Sequence, residues 1–266
     1  MKKIGYFFSL IVLLIAISSC SNDEKKYPTY IEQNCGTGGA LSTCLLPKFD
    51  SAYYIEQGVK YFQTMQSDIP NNVIPHYAGS VIRWEWPPWL LLTGYGKDFL
   101  ITSDIILKLN PTQYYKMDCR FFDKQPFCRC HVIFDYSGDS CPIYEEFTFN
   151  DQGQITFIEA WSDFESLLPM NAGADGIWTE DEYWAKQENV NRLSVKVPGL
   201  GNAYGKIDIN SEWMNEAAAI DKDVAEMVYR IKDPVRTYIQ QLATHQHELS
   251  HGCETPVGDV YPYYVP

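Results

Sequence analysis

The sequence predicts an α+β protein, with helices packed on one face of a curved antiparallel sheet and a helical extension at the C-terminus. Apolar residues recur at helical spacing over 49–66 and again over 98–109, and from Tyr114 to Trp161 the period drops to two. Helical patterning then returns beyond Thr179. The chain can bury a core, because 45% of its 266 residues are hydrophobic and 15% aromatic. Its formal charge of −13, from 34 Asp+Glu against 21 Lys+Arg, repels phosphate backbones and excludes nucleic acid as a partner.

The N-terminus reads as an address. Lys2 and Lys3 precede an apolar run from Tyr6 to Ile17, too short to span a bilayer but suited to a signal peptide. Ile17-Ser18-Ser19-Cys20 resembles the lipobox of bacterial lipoproteins, which implies cleavage after Ser19 and acylation of Cys20. Residues 1–19 are then a signal peptide, and residues 20–48 a lipidated tether with a cysteine-containing loop. Asp23 and Glu24 resemble the surface-export signals of some Gram-negative lipoproteins. The expected location is therefore the cell envelope, at the outer membrane or cell surface, held by the bilayer.

Beyond Cys20, seven cysteines remain, an odd number for an oxidising compartment. Cys35 and Cys44 flank a glycine-rich loop. Cys128 and Cys130 share one face of a strand and cannot easily bond each other. If Asp123–Pro126 is the hairpin loop, Cys119 falls opposite Cys130 and a cross-strand bridge is expected. No pair of CxxC units exists to build a zinc knuckle.

The first helix spans Phe49–Gln66, with Tyr53, Tyr54, Val59, Phe62 and Met65 on its apolar side. A strand over Val81–Trp86 is broken by Pro87-Pro88. A second helix over Asp98–Leu109 is stopped by Asn110-Pro111. Strands follow at 114–122, 127–136, 142–149 and 154–161, separated by turn formers, as an antiparallel meander. In the extension, Thr179 and Glu182 form a capping box. Asp221 opens a helix carrying Val224, Met227, Val228 and Ile231, and Asp233-Pro234 starts another through Leu242.

Four-residue loops in the meander place Tyr136 opposite Cys141 and Val132 opposite Glu145. One face then carries Cys128, Cys130, Val132, Phe134, Tyr136, Ile143, Glu145, Phe147 and Phe149, and should meet the helices. The other carries Arg129, His131, Asp135, Tyr144, Glu146 and Thr148, and should meet solvent, His131 included. Glu145 is the exception on the apolar face. A carboxyl there is either paired, with Arg83 the candidate for a plain salt bridge, or held neutral in a functional pocket; a one-residue slip would instead turn it outward.

The stretch Tyr144-Glu145-Glu146-Phe147-Thr148-Phe149-Asn150-Asp151-Gln152-Gly153-Gln154-Ile155-Thr156-Phe157-Ile158-Glu159-Ala160-Trp161 resembles the closing hairpin of the SnoaL-like, or NTF2-like, superfamily. The resemblance covers about residues 49–170 and leaves 171–266 as the extension. It implies a cone in which three helices close a curved sheet around an apolar pocket. That superfamily hosts ketosteroid isomerases, polyketide cyclases, dehydratases, epoxide hydrolases and non-catalytic binding modules. Carried over from the isomerases, the proton-donating acid falls on Glu145. The general base, eight residues past the tyrosine of Tyr77-Ala78, falls on Glu85. Both are Glu where the isomerases have Asp, and the expected place of a helix tyrosine holds Lys60, with Tyr61 beside it. The resemblance implies no cofactor. Tyr61, His76, Arg83, Trp84, Trp86, Phe134 and Phe147 are the expected ligand-binding residues. The Arg83–Trp89 aromatic cluster reads either as a wall for a flat or sugar-like ligand or as a plug against the C-terminal helices.

His247-Glu248-Leu249-Ser250-His251 matches the H-E-x-x-H pattern of zinc peptidases, with His245 a further ligand. Gly252 ends that helix at once, and little chain follows. The leading expectation is acid/base chemistry of isomerase, cyclase or dehydratase type on a small apolar or aromatic molecule. The alternatives are a non-catalytic ligand-binding or assembly module of the envelope, and a zinc metallopeptidase. Homodimerisation is left open.

Overall fold

The computed structural model describes residues 46–86, 92–109, 112–123, 125–136, 139–162, 193 and 212–240. The lipidation site Cys20, the Cys35–Cys44 loop, the Thr179/Glu182 capping box and the His245, His247 and His251 cluster lie outside the described residues.

Helix α1 (Ser51–Met65) starts where Asp50 accepts the Tyr53 N–H at 2.9 Å, an N-cap on an otherwise orphaned donor. It buries Tyr54, Gln57, Gly58, Tyr61, Phe62, Thr64 and Met65. That stripe is rotated from the expected one, with Val59 on its margin. The reason is Gly58, whose missing side chain lets the helix sit directly on the sheet. Strand β1 (Tyr77–Glu85) is longer than expected, and a short strand β2 (Gly94–Tyr95), not foreseen, pairs with it antiparallel. Helix α2 follows at Lys97–Leu107.

The meander forms as the period-two pattern requires: β3 (Thr112–Phe121), β4 (Cys128–Tyr136), β5 (Asp139–Phe149) and β6 (Ile155–Ser162). Together with β1 and β2 they make one six-stranded sheet in the order β2-β1-β6-β5-β4-β3. The sheet is mixed rather than wholly antiparallel, because β1 runs parallel to β6. A hairpin cannot join parallel neighbours, and here α2 and four strands separate the two in sequence. In the C-terminal part, α3 (Glu212–Ile220) and α4 (Lys222–Lys232) are described, with residues 234–240 helical again. Asp221 caps α4 through Asp223 N and Val224 N, as its sequence position predicts. No helix among the described residues is long and apolar enough to cross a membrane.

The register of the central hairpin corrects one expectation and keeps its consequence. Val132 faces Ile143 rather than Glu145, because Tyr136 pairs with Asp139 and the turn is two residues shorter. A shift of two leaves every side chain on its face. The helix-facing side therefore holds Cys128, Cys130, Val132, Glu145, Phe147 and Phe149, all buried. Cys119 pairs with Cys130 and is joined to it by a disulfide, while Cys128 keeps its thiol.

The opposite face does not meet solvent as expected. Arg129, His131, Tyr144, Glu146 and Glu159 are all at most 5% exposed. The Arg129 guanidinium lies 4.1 Å from the Phe122 ring centre and within reach of Glu146, and His131 stacks on Tyr144. At Leu193 the chain lies against this side, its N–H donating to Glu159 at 2.7 Å. Alternation of polar residues reveals a face, and whether a later segment returns to cover it is decided elsewhere in the chain.

Candidate functional site

The pairing of β1, β6, β5, β4 and β3 sets five residues in one row across the sheet: Glu85, Ala160, Glu145, Cys130 and Cys119. Glu85 and Glu145 thus sit two strands apart, about 9–10 Å between backbones at ordinary strand spacing. Only the methyl of Ala160 stands between them on that side.

Both carboxyls face the layer of α1 and α2. Arg83, two residues before Glu85 on β1 and therefore on the same face, donates from Nη1 to Asp104 Oδ1 at 2.7 Å and from Nη2 to Ser103 Oγ at 2.8 Å, both on α2. Its Nε donates to the Leu92 carbonyl at 2.8 Å. Arg83 also reaches the Tyr61 hydroxyl on α1 at 3.3 Å, and that hydroxyl hydrogen-bonds to Glu145. Arg83 is thus committed to Asp104 rather than to a salt bridge with Glu145. Thr64 on α1 donates to the other Asp104 oxygen at 2.7 Å, tying the two helices together.

The two carboxyls differ in environment. Glu145 is 2% exposed, and burial holds its pKa well above the ordinary carboxylate value. The nearby Glu85 carboxylate pushes it the same way, against Arg83 and Tyr61. Its Oε2 has no hydrogen-bond partner, and neither has the buried Tyr77 hydroxyl. Glu85 is partly exposed and is also raised, mainly by burial, but Arg83 and the Leu92 N–H, 2.7 Å from Oε2, favour its ionised form. A pair so arranged can divide acid and base roles, the buried member donating and the other accepting. Phe147, packed 5.0 Å from the Tyr61 ring, and half-buried Tyr114, on whose pKa Glu145 also acts, lie on the same side.

Of the expected site residues, the structure brings together Glu85, Glu145, Tyr61, Arg83 and Phe147. Lys60 points away and pairs with Glu56 one turn back, so Tyr61 is the helix tyrosine that reaches Glu145. Trp84 and Trp86 are separated from the pair. Alternation along β1 turns them to the opposite face, where the Trp86 indole donates to Glu159 at 2.8 Å and the two rings meet edge to face. They are not a wall beside Glu85. His76 is exposed at the far end of β1, 3.1 Å from the Tyr53 hydroxyl. Phe134 is described by its backbone alone.

Asp104, Ser103 and Tyr77 were missed. The signal for the first two was present: Leu100, Ser103, Asp104 and Leu107 share the buried stripe of α2. Two polar residues inside an apolar stripe need a buried partner, and Arg83 on the strand beneath is that partner.

The fold and site define an α+β protein with a charged and hydrogen-bonded network enclosed between two helices and a mixed sheet. Compared with known proteins, the chain matches no family model and no curated protein.

Proposed function

We propose that this protein is an envelope lipoprotein with a SnoaL-like, NTF2-like cone that binds a small apolar or aromatic molecule and acts on it by acid/base chemistry. Glu145 is the neutral donor, Glu85 the base, and no cofactor takes part. The observation that carries this reading is the Glu85–Ala160–Glu145 row, with an unpartnered Glu145 oxygen on the helix-facing side. A carboxyl left unpaired in a buried place costs stability, and such costs gather at working sites. The order of helix, strand, helix and four-stranded meander also agrees with what the resemblance implies. The lipobox at Cys20 supports anchorage to the bilayer.

The test begins with native mass spectrometry of a soluble form starting at Tyr27, purified from an oxidising compartment. A metal-free chain retaining one small organic molecule is the expected result, and that molecule then serves as the substrate probe. Glu145→Gln is expected to keep the fold and abolish its turnover. Turnover unchanged in that variant would remove the catalytic assignment and leave a binding module. One zinc per chain, lost on His247→Ala, would replace the whole reading with the peptidase.

A further inference from the structure

Beneath the middle of α1, three sulfurs meet. Cys119, Cys128 and Cys130 bring their Sγ atoms within 4.8 Å of one another, and no His, Asp or Glu among the described residues joins the cluster. The Cys128 and Cys130 sulfurs are 3.9 Å apart. The sheet register produces this grouping: Cys119 and Cys130 are cross-strand partners, and Cys128 lies two residues along the same face of β4.

Gly58 is the roof. A Cβ there would lie 2.7 Å from the Cys128 sulfur, 3.1 Å from that of Cys130 and 3.7 Å from that of Cys119. A glycine inside a helix sacrifices helix propensity, and here it leaves all three sulfurs room beneath the backbone. Burial pushes the Cys128 thiol well above its usual value, so the empty site favours the neutral thiol; a hydrogen bond from the Gly58 backbone and the Arg129 charge act the other way.

We propose that, once the Cys119–Cys130 disulfide is reduced, the three thiols form a binding site for a single copper(I) ion. Soft sulfur donors select copper(I), zinc and iron–sulfur clusters, and the clusters take four cysteines where three stand here. Zinc wants a fourth ligand in a closed tetrahedral site, and the described residues offer none. An ion about 2.3 Å from each of three sulfurs in a plane sets them about 4 Å apart, close to the spacing of Cys128 and Cys130.

The chemistry runs in two balanced steps. A dithiol reductant supplies two electrons and two protons, turning the disulfide into two thiols and leaving as its own disulfide. Copper(I) then displaces two thiol protons to solvent and forms two thiolate bonds, while the third thiol donates a lone pair. No electron changes hands in that second step. The cluster ends with one net negative charge, less than the two of a tris-thiolate, which suits a buried place. The disulfide therefore acts as the gate: closed when oxidised, open to the ion when reduced. The inference does not rest on the chemistry proposed for Glu85 and Glu145, although Cys130 is the cross-strand neighbour of Glu145.

The experiment titrates the full chain in detergent micelles with copper(I), free of oxygen and against a chromophoric chelator, after phosphine reduction or after oxidation. The reduced chain is expected to take one ion per chain with three sulfur neighbours by X-ray absorption, and the oxidised chain none at this site. C128A is expected to lower the affinity at least about tenfold. It keeps both disulfide partners, so re-formation of the Cys119–Cys130 bond on oxidation shows that it is folded. A C35A/C44A variant is expected to bind as the wild type does. Wild-type affinity in C128A, equal binding by the oxidised chain, or a two-sulfur ion would each overturn the proposal.

Discussion

Glu145 has one oxygen bonded to the Tyr61 hydroxyl and the other without a hydrogen-bond partner. Its pKa is raised in the fold, so between the ordinary carboxylate value near 4.5 and the folded value the native state holds a proton that the unfolded state has lost. The stabilising contribution is complete below the unfolded value and is lost as pH rises through the folded one. Glu145→Gln, which copies the neutral acid, is expected to remove that loss. Denaturant melts of the two proteins should diverge with rising pH, the variant gaining on the wild type. Parallel curves from pH 4.5 upward would show that Glu145 is not a buried neutral acid.

At the scale of the element, α1 is set by what lies beneath it. Alanine at position 58 would gain about 1 kcal/mol of helix propensity over glycine. It would also push a methyl against Cys128 and the disulfide sulfurs, and overpacking of that kind costs about 1–3 kcal/mol. The cross-strand disulfide restrains the sulfurs from moving aside, so the net effect expected of Gly58→Ala is destabilisation, read as a lower denaturant midpoint. A rise in midpoint would mean that helix and sheet are farther apart than described. The outcome bears on the site as well, because Tyr61 follows Gly58 by one turn on the same face and carries α1's contact to Glu145.

For the molecule as a whole, the Arg83–Asp104 pair joins the layers. Arg83 comes from the sheet, Asp104 from α2, and Thr64 and Tyr61 bring in α1. Both charges are fully buried. Removing one partner of a buried pair leaves the other uncompensated and costs about 3–5 kcal/mol. A domain has only about 5–15 kcal/mol to lose. Asp104→Ala is therefore expected to lower the melting temperature sharply, and a shift of only a degree or two would show that water reaches Arg83.

The sequence by itself determined the four strands of the meander, the helix start at Asp221, the Cys119–Cys130 pairing and the face on which Glu145 sits. These depend on short-range rules: alternation with a period of two, and capping side chains within a turn of the donors they satisfy. Even a hairpin misjudged by two residues kept its faces. Tertiary structure alone decided the parallel pairing of β1 with β6, which brought Glu85 into the row of Glu145 across Ala160. It also decided the choice of Asp104 as partner for Arg83 and the burial of the Arg129–Glu159 face. Each of these joins residues far apart in the chain, and no local period carries the information about which distant segment arrives.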